Sequence, residues 1–124
     1  MTKKVLQLIG DFREMGYEHH PNAPSLVDAK GKRTPDHKTD VLSYLRKAKS
    51  INFSPGVNTD LFDPTQIVAG DTMRTDGTYV WPAFLADYVE RYDVELPEPF
   101  ERHMAARAWK LPTTLDVTAL EMPF

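Results

Sequence analysis

"TDGTYVWPAFLADYVERY", residues 75–92, decides the fold. Asp76-Gly77 is the favoured pair for a two-residue type I′ hairpin turn, because both central positions need positive φ. "DTMRT" before it and "TYVW" after it have strand composition. The spacing therefore predicts an antiparallel hairpin over 72–81, with Thr75 and Thr78 flanking the turn. Pro82 suits the first position of a helix, where its missing N–H costs nothing. In that helix Phe84, Leu85, Tyr88, Val89 and Tyr92 form an apolar stripe, and Asp87 and Arg91 stand at i, i+4.

Working outward, residues 3–15 place Val5, Leu8, Ile9, Phe12 and Met15 on one helical stripe, which Gly16 ends. Residues 16–34 read as a long polar loop. Thr34-Pro35 reads as an N-cap and first helical residue, opening a helix to about Lys49 with Val41, Leu42 and Leu45 inward. Ile51 and Phe53 alternate with polar neighbours as a short strand with one buried face. Pro55-Gly56 is a turn signal, Leu61-Phe62 a small apolar anchor, and "QIVAG" a further short strand. Pro97 and Pro99 bracket the start of a last helix with Phe100, Met104 and Trp109 inward and a Glu98–Arg102 pair outward. The tail, 110–124, alternates at Leu115, Val117 and Ala119, so it either adds an edge strand or trails. These elements describe a single α+β domain, 1–124. Its small antiparallel sheet is built around the 72–81 hairpin and packed by about four helices.

A chain of 124 residues buries a core without a staple. The absence of cysteine excludes disulfides, thiolate catalysis and cysteine-ligated zinc or iron–sulfur sites. No apolar run approaches the roughly 18 residues of a membrane helix, and "MTKKVLQLIGDF" reads as a mature helix rather than a leader. The expected location is the cytoplasm. The net charge of −3 is unevenly spread: residues 1–55 carry +4 and residues 56–104 carry −7. Such asymmetry speaks of partners and long-range fields.

Little in the sequence points to catalysis. His19-His20 lie near Glu18 and Asp28, but adjacent histidines diverge and no second pair stands at ligand spacing, so no metal is expected. No serine sits in a nucleophile-elbow context, and the six glycines form no phosphate cradle. No catalytic residue or cofactor is assigned, and the chain is read as a non-enzyme. Lys30, Lys32, Arg33 and Lys38 cluster as phosphate-binding residues do, yet no aromatics interleave with them.

The residues from about 50 to 104 carry a pattern: Asp76-Gly77, Trp81-Pro82, then Leu85, Tyr88, Val89, Glu90 and Tyr92, then Leu96-Pro97, Phe100 and His103-Met104. "FSPG" at 53–56 and "DP" at 63–64 belong to it. The pattern resembles small bacterial immunity proteins of polymorphic toxin and contact-dependent inhibition systems. That resemblance implies a non-enzymatic inhibitor that binds a cognate toxin domain in the producing cell's cytoplasm. The acidic middle would suit a basic toxin surface, such as that of a nuclease. Acids beside aromatic rings provide long-range attraction and rigid anchors. The expected partner-binding residues are Asp60, Asp63, Asp71, Asp87, Glu90 and Asp93, with Tyr79 as an exposed anchor. The competing reading is a phage or mobile-element accessory protein that regulates nucleic acid through Lys30 to Lys38.

Overall fold

The computed structural model describes residues 3–15, 23–31, 37–53 and 56–123. His19, His20, Lys32, Arg33 and the Thr34-Pro35 helix start lie outside the described residues. The chain forms an α+β fold, with short strands and four α-helices among the described residues. The strands are β1 (Lys4–Val5), β2 (Gln7–Leu8), β3 (Lys49–Asn52), β4 (Val57–Thr59), β5 (Ile67–Ala69), β6 (Met73–Thr75), β7 (Tyr79–Pro82) and β8 (Leu120–Glu121). The helices are α1 (Leu26–Ala29), α2 (Lys38–Lys47), α3 (Leu85–Tyr92) and α4 (Glu98–Ala106). Among the described residues, no helix is long and apolar enough to cross a membrane.

The expected hairpin is present, shifted by one residue. Thr75 pairs with Val80, so Gly77 and Thr78 occupy the centre of the turn. Only Gly77 of the two has positive φ, +93°, the pattern of a type II′ turn rather than type I′. The side chain of Asp76 sets this register, because Oδ1 accepts the amide hydrogens of both Thr78 and Tyr79. Pro82 ends β7 instead of opening a helix, and α3 begins three residues later.

The central sheet has the order β2-β7-β6-β3 and is mixed, since β2 runs parallel to β7. Residues 3–15 are therefore not a helix but two strands and a 3₁₀ turn at Arg13–Met15. A short apolar run fits either period. Here Gly10 decides against the helix: its φ is +76°, and a Cβ there would stand 2.9 Å from a Leu85 methyl. Strand β7 lies between β2 and β6 and is covered on both faces. Tyr79 and Trp81 face the main core with Tyr44, Phe84, Leu85, Tyr88, Val89, Phe100 and Met104. Val80 faces a second cluster with Leu6, Met73 and Leu120. The indole Nε1 of Trp81 donates to the Leu45 carbonyl at 3.1 Å, so this fully buried polar atom is satisfied.

The periphery differs more. The polar stretch after Met15 contains the one-turn helix α1. The tail makes a 3₁₀ turn at Val117–Ala119 before β8, which pairs with β1 in parallel. Phe53, expected on a buried strand face, is 76% exposed just beyond β3. The Glu98–Arg102 pair is present at 3.7 Å. The expected Asp87–Arg91 pair is not, because tertiary partners claim both ends: Asp87 meets Arg46 and Arg91 meets Asp60.

Candidate functional site

The most catalytic-looking constellation is at the hairpin tip. Asp76 is fully buried, and its Oδ2 accepts the Tyr44 hydroxyl at 2.5 Å and lies 3.0 Å from His103 Nε2. Arg107 donates to the Asp76 carbonyl at 3.1 Å. Burial, with the hydrogen bond to this carboxylate, raises the Tyr44 pKa well above the ordinary phenol value. Oδ1 thus has two polar neighbours and Oδ2 three, counting Arg107 at 3.9 Å, and neither oxygen is exposed. The cluster clamps the turn to α2 and α4. Asp76 and His103, both part of the sequence pattern, are fold-holding residues. Their spacing of 27 positions hid this contact from the sequence.

Tyr79 belongs to the same clamp. It is 7% exposed, with ring centroids 4.9 Å from Phe100 and 5.0 Å from His103. It is not an exposed anchor, because Phe100 and His103 of α4 cover the face of β7 from which it projects.

The acidic residues meet the basic half of the chain. Arg46 of α2 donates to Asp87 at 3.1 Å and bridges Glu90 at 3.1 Å. Lys38 Nζ binds Asp93 at 2.7 Å and the Glu90 carbonyl at 3.0 Å, which caps the negative end of α3. Hydrogen bonding to Arg46 holds the Glu90 carboxyl below the usual range. Asp60 is 1% exposed and accepts from Tyr92 Oη, Arg91 and the amides of Phe62 and Asp63. Burial pushes its pKa up, but these donors outweigh burial and lower it. In return, Tyr92 is pushed up to about 12 by its bond to Asp60. Part of the charge asymmetry read along the sequence is therefore spent inside the molecule, where Arg46 and Lys38 of α2 meet Asp87, Glu90 and Asp93 on and just after α3. Asp63 and Asp71 are different. Their described partners are Thr65 and Asn58, and neither has a cation in ion-pair range among the described residues.

Those two carboxylates flank a surface the sequence did not single out. Strands β4 and β5 form a separate two-stranded ribbon, with Val57 opposite Ala69 and Thr59 opposite Ile67. One face of it buries Val68 in the core. The other exposes Val57 and Ile67 by 60% and 58%, with Leu61 and Phe53 close in sequence and also exposed. Four of the six exposed large apolar side chains among the described residues thus fall between residues 53 and 67. The ribbon is anchored to α3 by Ala69 N–H to Asp87, by Leu61 N–H to Tyr88 Oη, and by the Phe62 ring packed edge-on against Tyr88 and Tyr92. A usable signal was available: residues 50–73 contain no Lys, Arg or His.

A cleft of about 1240 Å³ opens between α1, α2 and α4, floored by Phe12, Val41, Leu85, Leu96 and Met104. Its rim carries exposed ion pairs, Arg13–Asp28 and Arg102–Glu98, rather than buried groups converging on one point. No group of three or more potential metal ligands occurs among the described residues. The chain matches no family model, no curated protein and no solved structure.

Proposed function

We propose that this chain is a non-enzymatic, immunity-like protein that binds and neutralises a cognate bacterial toxin in the cytoplasm of the producing cell. The observation that carries this reading is the β4–β5 ribbon, where Phe53, Val57, Leu61 and Ile67 are exposed beside Asp63 and Asp71. Scattered exposed apolar residues need no explanation, but several within one short segment, with acidic side chains beside them, are what an interface offers. The resemblance over residues 50–104 supports the same class, although its matched residues mostly build the core. Contact moves accordingly from α3 to the ribbon, while Glu90, half exposed, is engaged by Arg46.

A basic surface, such as that of a nuclease, suits these two aspartates, which have no cation partner among the described residues. The nucleic-acid reading has less support. Lys38 is engaged with Asp93, and Lys30 lies 4.2 Å over the Phe62 ring. The test is co-expression with the product of the adjacent reading frame. Growth arrest by that product alone and rescue by this chain are expected. Arrest that this chain leaves unrelieved would refute the assignment.

A further inference from the structure

We infer that the outer edge of β4 is a docking strand: it receives an extended segment of the partner protein that carries basic residues alternating with apolar ones. This deepens the proposed function and rests on it for the partner's identity, while the edge itself is read from geometry.

The two edges of the ribbon are not equivalent. The Ala69 N–H donates to Asp87 at 2.7 Å, so it points away from β4. In an antiparallel pair, residues alternate between those that exchange ladder bonds and those that do not. Val57 and Thr59, opposite Ala69 and Ile67, therefore direct their backbone N–H and C=O groups away from β5. The bond from Asp60 N–H to the Gln66 carbonyl, one pair further on, fits the same phase. Among the described residues, no backbone bond takes the outward groups of Val57 and Thr59, and no strand lies beyond β4. Edge β5 is closed by α3, and edge β4 is open among the described residues.

An open edge is a template for another strand, and proteins that avoid pairing blunt it with lysine, proline or a covering segment. Here Val57-Asn58-Thr59 carries none of these residues. The edge offers only three residues, so main-chain bonds alone would hold a partner weakly, and side chains must add to them. The two faces ask for different chemistry. On one, Val57 and Ile67 are exposed and apolar. On the other, Asn58 donates to Asp71, a carboxylate with no described cation. An added strand would place successive side chains on alternate faces. Apolar residues would lie beside Val57 and basic residues beside Asp71. A second copy of this chain is a poor occupant, because two-fold pairing would bring Asp71 towards its own counterpart in a chain of net charge −3.

The probe is an acetylated peptide of alternating lysine and valine, titrated into isotope-labelled protein and followed by amide chemical shifts. Shifts concentrated at Val57 to Thr59 are expected. N-methylation of alternate peptide amides, which blocks pairing and keeps the charge, should weaken binding by roughly tenfold or more. Thr59→Pro removes an outward N–H and should do the same; amide dispersion of the variant shows that it is folded. Equal binding by the N-methylated peptide, no binding, or shifts centred away from β4 would overturn the inference. So would self-association at these amides without peptide. The growth-rescue assay separates the two readings. If wild type and folded Thr59→Pro rescue equally, the toxin-binding reading stands and strand addition falls. If peptide shifts map to β4 but wild type fails to rescue, the edge stands and the toxin assignment falls.

Discussion

The carboxylate of Asp87 joins two distant parts of the chain: Oδ2 accepts the amide hydrogen of Ala69 at 2.7 Å, and Oδ1 accepts from Arg46 at 3.1 Å. One side chain on α3 thereby fixes both the ribbon and α2. Asp87→Ala is expected to lower global stability by about 1–3 kcal/mol, because a partly buried amide and a guanidinium lose a charged acceptor. Amide exchange at Ile67 to Ala69 should accelerate in step. Asp71→Ala, which loses only the bond from Asn58, should stay within about 0.5 kcal/mol of wild type. Denaturant unfolding and hydrogen exchange measure both. Charge reversal at Asp87 would consequently report on the fold; Asp63 and Asp71 are the positions that report on long-range attraction.

Asp76 should be the most sensitive acidic position. Removing its side chain would leave the Tyr44 hydroxyl, His103 and the amides of Thr78 and Tyr79 without their acceptor in a dry site. Asp76→Ala is expected to cost about 3–5 kcal/mol, a large part of a small domain's stability. Asp76→Asn keeps an acceptor for the turn amides and should cost clearly less. Urea unfolding of both variants decides the matter; an alanine variant within about 1 kcal/mol of wild type would show that the clamp is not cooperative.

How much of this was legible in the sequence depends on the range of the contact that decides each element. The hairpin, α3 and α4 carry their own turn residues and periodicity, and they form near where the spacing placed them, the hairpin one residue out of register and α3 three residues late. The N-terminal segment satisfied a helical stripe, yet pairing with β7 and the packing of Gly10 against Leu85 made it strand. Those are contacts across more than 70 residues that no local pattern encodes. The acidic residues were recognised as a group, but their partners were not. Arg46 and Lys38 lie over 40 positions away from Asp87 and Asp93, so a charge asymmetry that looked external is in part internal. Half of the ribbon was legible, since "QIVAG" marked β5, but Val57-Asn58-Thr59 is too short to announce its partner strand.

Glu14 gives a pH-dependent signature. Its carboxylate accepts from the Ser25 hydroxyl and from the amides of Leu26 and Val27 at the start of α1. Burial pushes its pKa up, but these bonds dominate and bring it down from 4.5 to about 2. The folded value lies below the unfolded one, so the stabilisation is complete above about 4.5 and is lost as pH falls towards 2. Exchange protection of the Leu26 and Val27 amides should decline across that window. Glu14→Gln should remove the decline and show low protection throughout. Protection in wild type that is constant down to pH 2 would contradict the capping role.

The end of α4 contains a correctable strain. Trp109 N–H bonds to the Met104 carbonyl and Ala108 N–H to the Ala105 carbonyl, both at 2.9 Å, the paired bonds of a Schellman motif. That motif places Ala108 at the position where glycine is favoured, and its φ is +53°. An L-residue pays about 1–2 kcal/mol for this conformation, whereas glycine adopts it without a Cβ clash. Glycine also gains freedom in the unfolded chain, which offsets part of the benefit. Ala108→Gly is therefore expected to stabilise the protein by about 0.5–1 kcal/mol, seen as a raised denaturant midpoint with an unchanged m-value. Trp109, the next residue, also has positive φ, +55°, and its ring lies tilted against that of His37, centroids 4.2 Å apart; His37 has a φ of +58°. If that contact holds the turn in place, Trp109→Ala should cancel the gain from Ala108→Gly, because the Schellman end would no longer be pinned against α2.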